Sequence, residues 1–139
     1  MLVKLNNSQK VRIINSKVLY EILRDIHYSQ DKFDVEKEFF YCANLNRRNE
    51  LRLVDIVSIG NLTGTVVSVR ELYRRAIVNN SYSIAVIHNH PSGNSEPSDA
   101  DRATVNQIVE AGKIIGIKVM DALIITENGY YSFADEGLL

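Results

Sequence analysis

Residues 88–101 read HNHPSGNSEPSDAD, directly after a short β-branched apolar run at residues 83–87. The apolar run predicts a buried strand, and the Pro-, Gly- and Ser-rich residues that follow predict a loop. Because side chains alternate between the two faces of a strand, His88 and His90 point the same way if the strand continues through Asn89. We therefore predict two metal ligands at the end of a strand, with Asn89 on the opposite face in a structural role.

Ser98 and Asp101 begin the helix that follows this loop. Their spacing is that of a capping box, which is the simplest interpretation of the pair. Asp101 also heads the apolar stripe of the helix, so its carboxylate should point inward. An inward carboxylate is costly unless it is paired or binds a metal, and the two histidines are its nearest candidate partners. The apolar stripe consists of Val105, Ile108, Val109, Gly112 and Ile115.

The joint pattern, H-x-H, seven residues, S, two residues, D, resembles the JAMM motif of the JAB/MPN metalloprotease-like domains. The extended form HNHPSG…PS..D is similar to the RadC-like branch in particular, and the similarity extends over most of residues 38–139. The resemblance implies an α/β fold of the JAB/MPN (cytidine-deaminase-like) type, with a mixed central β-sheet flanked by helices. It also implies one zinc per chain. A hydrolytic zinc site needs three protein ligands and an open position for water, and His88, His90 and Asp101 supply the three.

The resemblance also supplies the catalytic groups. JAMM proteins carry a glutamate at the start of an upstream apolar strand, and Glu38 occupies that place before residues 39–43. Glu38 is therefore our candidate general base, with Glu36 as the alternative because strand starts are uncertain by a few residues. Ser98 matches the motif serine, which in the family helps to hold the water or the developing oxyanion. One departure is Val69, where RadC-like chains commonly have proline; it affects a helix start and not the site.

The remaining sequence predicts alternating helices and strands. We expect residues 1–139 to form a single domain in which residues 1–30 are an N-terminal strand-and-helix extension, with His27 either solvent-exposed or facing the dipole at the end of that helix. Full-length RadC-like proteins carry an N-terminal helix-hairpin-helix module, for which we expect no room in this chain. The further predicted helices and strands are a helix capped by Ser16, strands at 38–45 and 50–59, a short extended piece at 65–68, a helix at 70–79, and strands at 118–126 and 130–133.

Composition limits the class of protein. The chain has 139 residues, of which 45% are hydrophobic, and a net charge of −1, whereas nucleic-acid-binding domains are usually strongly basic. The single cysteine, Cys42, excludes an internal disulfide framework, suits a reducing compartment, and cannot provide the cysteine pair of zinc deaminases. No apolar run approaches the roughly 18 residues of a membrane span. We expect a cytoplasmic protein without a membrane partner.

Two functions fit these features. The first is a zinc-dependent hydrolase that cleaves a peptide or isopeptide amide bond in a peptide or protein substrate. The alternative is a non-catalytic, zinc-containing scaffold or a DNA-associated accessory factor of the RadC type, for which Arg47-Arg48 and the arginines at 70, 74 and 75 are the basic clusters. The sheet edges could support a homodimer. Substrate specificity should reside in the loops at residues 60–64 and 92–97.

Overall fold

Strands and helices alternate along the computed structural model, which describes residues 1–29, 36–60 and 67–139. Within those ranges the chain forms six strands and three helices. They are β1 (Leu2–Val3), α1 (Ser16–Tyr28), β2 (Phe39–Leu45), β3 (Leu51–Ile59), α2 (Val69–Val78), β4 (Ser83–Asn89), α3 (Asp99–Ile115), β5 (Lys118–Ile125) and β6 (Tyr130–Ser132). No helix in the described ranges is long and apolar enough to cross a membrane.

The six strands form one mixed sheet in the order β1-β3-β2-β4-β5-β6. β4 and β5 are parallel, and α3 is the crossover that connects them. The other neighbouring pairs are antiparallel. The predicted α/β fold, with a mixed central sheet flanked by helices, is confirmed.

The central strands β2 and β4 are buried along their whole length because helices cover both faces of the sheet. Alternate residues of β2, from Phe39 to Leu45, pack with the apolar side of α1. Phe40 and Cys42 face the other way and pack with α2 and α3. Cys42 is a buried packing residue of this cluster, and burial raises the pKa of its thiol.

The helix α3 is capped at both ends. Ser98 Oγ accepts a hydrogen bond from the Asp101 N–H and the Asp101 carboxylate accepts one from the Ser98 N–H, so the predicted capping box is present. At the other end Gly116 adopts the left-handed conformation (φ +87°). The apolar stripe ends at Gly112 rather than at the predicted Ile115, which is 42% exposed. The chain turns at Gly116, and the residue after that turn, Ile117, is buried in place of Ile115.

Two predictions for α1 were wrong. Its N-cap is Asn15, whose side chain accepts from the Val18 N–H, and Ser16 is the first helical residue. His27 is fully buried rather than solvent-exposed, because the last turn of α1 packs on β2: its Nδ1 lies 2.7 Å from the Tyr41 hydroxyl. Burial lowers the pKa of His27 to about 4.

Two predicted segments lie partly outside the described residues. Residues 65 and 66 of the predicted extended piece at 65–68 are not described, and the remaining two lead into α2 without forming a strand. Of the predicted specificity loop at 60–64, only Gly60 is described, and its N–H donates to the Glu38 carbonyl (2.8 Å). The second specificity loop, at 92–97, follows β4 and precedes α3.

Candidate metal centre

Three possible metal ligands converge where β4 ends and α3 begins. β4 continues through Asn89, as predicted, and the His90 N–H extends its pairing with β5 by donating to the Ile125 carbonyl (3.0 Å). His88 Nε2 lies 3.2 Å from Asp101 Oδ1, and His90 Nε2 lies 3.0 Å from Asp101 Oδ2. One ligand atom from each of the three residues fits within a span of 4.8 Å. The group could hold one metal ion.

Each histidine ring is fixed by a neighbour that leaves its Nε2 facing the group. The Nδ1–H of His90 donates to the Asn94 carbonyl (2.8 Å), which is how metal-binding histidines are commonly oriented. The His88 ring stacks on Phe40, with centroids 5.5 Å apart and planes 10° apart. His88 Nε2 is buried and makes no hydrogen bond within the described residues, despite the nearby carboxylate. A buried nitrogen without a hydrogen bond is costly, and a metal ion would satisfy it.

Asp101 has both of the roles that the sequence left open, because it caps α3 and faces the two histidines. Its Oδ2 accepts from the Ser98 N–H (2.9 Å), while both its oxygens face the histidines. Burial favours the neutral acid, but the two imidazoles and the Ser98 N–H outweigh it and hold the pKa of Asp101 well below its usual range. The same carboxylate raises the pKa of His90 against the effect of burial. A carboxylate that stays ionised is available as a ligand.

Glu38 directly precedes β2, the strand next to β4, at the same end of the sheet. Its position follows from the register of β2 and β4, in which Phe40 is opposite His88, so that Glu38 comes opposite His90. Glu38 Oε1 is 4.0 Å from His90 Nε2, and its side chain is 24% exposed. Glu36, the alternative base, is on the surface. Of the two glutamates, Glu38 is the one that faces the group.

A small cleft gives access to these residues. Of the described residues, Glu38, Phe40, Val67, His88, Asp101, Thr104 and Val105 line it. Ser98 is exposed, and the described structure connects it with the group through its two hydrogen bonds with Asp101. Among the predicted site residues, the structure thus brings together Glu38 and the three ligands, with Ser98 beside them as the helix cap.

Three neighbours of the ligands were not identified as such from the sequence. Phe40 could not be identified, because its position opposite His88 depends on the antiparallel pairing of β2 and β4. The contact of the Asn94 carbonyl with His90 could not be predicted from the sequence, since every residue has a backbone carbonyl. Asn89 was predicted to be structural, and it is fully buried; its contacts with Lys37 and Phe39 depend on the pairing of strands that are distant in sequence.

The donor set fits zinc. Two imidazoles and one carboxylate form a common catalytic zinc set, and tetrahedral zinc with ligands at ~2.0–2.2 Å places neighbouring donor atoms about 3.3–3.6 Å apart. The contacts of His88 and His90 run to different oxygens of Asp101, at 3.2 and 3.0 Å, and the three ligand atoms lie within 4.8 Å of one another. The group is thus compact enough to hold one such ion.

Comparisons with known proteins identify similar sequences. A family model described as a RadC-like JAB domain matches residues 13–138. The UPF0758 protein of Chlorobium chlorochromatii (strain CaD3) is 32% identical, with 87% of this chain and 63% of the relative aligned. UPF0758 proteins of Symbiobacterium thermophilum and Alkaliphilus metalliredigens are 37% and 40% identical, over 94% and 76% of this chain. The alignments cover 54% and 45% of those two relatives, so the chain spans about half the length of the curated relatives it matches.

Proposed function

Because this chain belongs to the RadC-like JAB domain family, we propose that it is a zinc-dependent hydrolase that cleaves a peptide or isopeptide amide bond. The observation that carries the proposal is the convergence of His88, His90 and Asp101 with a carboxylate, Glu38, which faces them from the residue before β2. A zinc held only for structure usually has four protein ligands, whereas this set of three leaves a position for water. A nearby carboxylate is the further group that hydrolysis requires.

The protein residues have separate tasks in the proposed reaction. His88, His90 and Asp101 would hold the zinc. When bound, zinc polarises the substrate carbonyl and lowers the pKa of water at its open position towards ~7. Glu38 would accept the proton of the attacking water and deliver it to the leaving nitrogen of the amide.

Ser98 is proposed to stabilise the negative charge that develops on the carbonyl oxygen. Its Oγ accepts from the Asp101 N–H (3.1 Å), which leaves the hydroxyl proton available for donation. The capping contact also limits where the hydroxyl can lie. A donor held before the reaction stabilises a developing oxyanion more than a mobile one does.

Metal content tests the ligand assignment. We expect about one zinc per chain by inductively coupled plasma mass spectrometry of purified protein. The double variant His88→Ala/His90→Ala should lose it. The matched control is His27→Gln, which removes the histidine outside the group and should retain zinc. Absence of zinc from the wild-type protein, even after reconstitution, would overturn the proposal.

Hydrolysis tests the base. We would incubate the zinc-loaded protein with a random-sequence peptide pool and with isopeptide-linked peptides, and detect new termini by mass spectrometry. Glu38→Gln should slow cleavage by about 10²–10⁴-fold with zinc retained. Glu36→Gln is the matched control, and it should cleave like the wild type. The assignment of Glu38 is wrong if the two variants behave in the opposite way.

The alternative of a DNA-associated factor finds little support in the charges. Arg74 and Arg75 both pair with Glu71 (2.6 and 3.2 Å), and Arg75 also lies 3.8 Å from Asp55. These two arginines are therefore partly neutralised within the protein. Salt-dependent binding to a labelled duplex, combined with an absence of hydrolysis, would favour the alternative.

A further inference from the structure

We propose that Asn89 is a positioning residue for Glu38, an inference that rests on the proposed function. Asn89 is the last residue of β4, lies between His88 and His90 in the sequence, and is fully buried. Its Oδ1 accepts from the Phe39 N–H (2.7 Å), and its Nδ2 donates to the Lys37 carbonyl (3.0 Å). One side chain thus binds the backbone on both sides of Glu38.

These contacts replace strand pairing where regular pairing stops. Glu38 precedes the first residue of β2, so it is outside the regular strand. On the side of β3, the Gly60 N–H donates to the Glu38 carbonyl (2.8 Å). On the side of β4, the two hydrogen bonds come from the Asn89 side chain. The backbone of Glu38 is therefore held from both neighbouring strands.

The chemistry of this position requires an amide. The Phe39 N–H needs an acceptor and the Lys37 carbonyl needs a donor, and the asparagine side chain offers both at its end. Aspartate would keep the acceptor but place a second oxygen against the Lys37 carbonyl. Alanine would leave the buried Phe39 N–H and the partly buried Lys37 carbonyl without these partners, which is costly.

Asn89 also connects the position of Glu38 with that of the metal ligands, because it lies between His88 and His90 in the sequence. Its side chain does not face the three ligands, because alternation along β4 places it on the other side from His88 and His90. It acts on the reaction through the backbone of Glu38. A displacement of a catalytic group by about 1 Å can cost ~100-fold in rate. Loss of Asn89 should therefore impair the proton transfer and leave the metal ligands in place.

The first test measures the backbone hydrogen bond directly. In zinc-loaded Asn89→Ala, amide hydrogen exchange followed by NMR should be about tenfold or more faster at Phe39 than in the wild type, with zinc content unchanged. Asn44→Ala is the matched control. Asn44 is a buried asparagine of β2 that binds the Cys42 carbonyl and Ser81, and its loss should not change exchange at Phe39. Unchanged exchange at Phe39 in Asn89→Ala would overturn the inference.

The second test asks whether Asn89 acts through Glu38. On a peptide cleaved by the wild type, Asn89→Ala should lower kcat by about 10- to 100-fold with little change in KM. In the Glu38→Gln background the same substitution should have almost no further effect on kcat. An equal loss in both backgrounds would mean that Asn89 has another role. Asn89→Asp gives a second variant of the same size if Asn89→Ala does not fold.

A third measurement separates this inference from the proposed function. If the wild type binds zinc but cleaves no peptide, the proposed function fails. Zinc affinity then serves as the readout: Glu38→Gln should weaken binding by up to about 10-fold, because Glu38 is a neighbour of the ligands. Asn89→Ala should weaken it by a similar factor alone and by no further factor in the Glu38→Gln background. Additive losses would overturn the inference.

Discussion

At the residue scale, Ser98 and Ser68 provide a matched pair. Both are exposed N-cap residues whose Oγ accepts from a backbone N–H three residues on, at 3.1 and 3.2 Å. Replacing either by alanine should lower the free energy of unfolding by ~1 kcal/mol. Only Ser98→Ala should also lower kcat, by about 100-fold, because it removes the proposed oxyanion donor.

Urea unfolding and peptide hydrolysis of the two serine variants check this expectation. Zinc content should stay the same in both, since neither serine is a ligand. If Ser98→Ala loses stability but cleaves peptides like Ser68→Ala, then Ser98 is a helix cap and nothing more.

His27 predicts a pH dependence of stability. Its pKa is lowered to about 4 in the folded chain, from the ordinary value of 6.5. His27 therefore takes up a proton below about pH 6.5 in the unfolded chain, but only below about pH 4 in the folded chain. The free energy of unfolding falls as the pH decreases through this window. Between pH 7.5 and 5 this loss amounts to about 2 kcal/mol. Urea unfolding in the presence of a chelator measures it.

The control for this prediction is His27→Gln, which keeps a polar partner for the Tyr41 hydroxyl but cannot take up a proton. The difference between the wild type and the variant isolates His27 from other groups, such as His90, whose raised pKa acts with the opposite sign. Parallel stability curves for the two proteins from pH 7.5 to 5 would contradict the assignment.

At the element scale, α3 depends on a glycine where its neighbours come closest. A Cβ added at Gly112 would lie 2.5 Å from the Ile117 carbonyl oxygen and 2.6 Å from the Tyr73 hydroxyl. Alanine is normally better than glycine inside a helix by about 1 kcal/mol, but the Ile117 carbonyl is backbone and cannot easily move. Gly112→Ala should therefore destabilise the protein by ~2 kcal/mol and lower the Tm by about 4–8 °C.

Gly129→Ala is the matched control for this substitution. Its added Cβ would have only the Thr126 hydroxyl nearby, at 3.9 Å, which is an ordinary contact. Its Tm should stay within about 2 °C of the wild type. A Gly112→Ala protein as stable as Gly129→Ala would show that α3 can shift away from β5 at no cost.

Most elements were predictable because their periodicity reflects one buried face. The alternation in β4 and the stripe from Asp101 to Gly112 in α3 follow directly from strand and helix geometry. The buried position of His27 was not predictable, since periodicity along α1 does not reveal that the last turn packs on β2. The same limit applies to Asn89, whose partners are 50 and 52 residues away in sequence.

At the scale of the whole molecule, the candidate site was more predictable than the contacts that hold it. His88, His90 and Asp101 lie within one stretch of 14 residues, so their spacing could be interpreted without knowledge of the fold. Glu38 could be placed only by family resemblance, because its approach to His90 requires β2 and β4 to pair antiparallel. That the loops at 60–64 and 92–97 set substrate specificity stays a prediction, because their composition indicates no particular substrate.

Zinc should also stabilise the whole fold, because its proposed ligands come from two elements that meet only in the folded chain. His88 belongs to the end of β4 and His90 directly follows that strand, whereas Asp101 belongs to the first turn of α3. A ligand that binds only the folded state stabilises it by ~2.7 kcal/mol at 100 times its Kd. The Tm should therefore rise by about 5–10 °C with zinc and fall again with a chelator. The His88→Ala/His90→Ala protein should show no such response, whereas His27→Gln should respond like the wild type; an equal rise in all three proteins would place the zinc elsewhere.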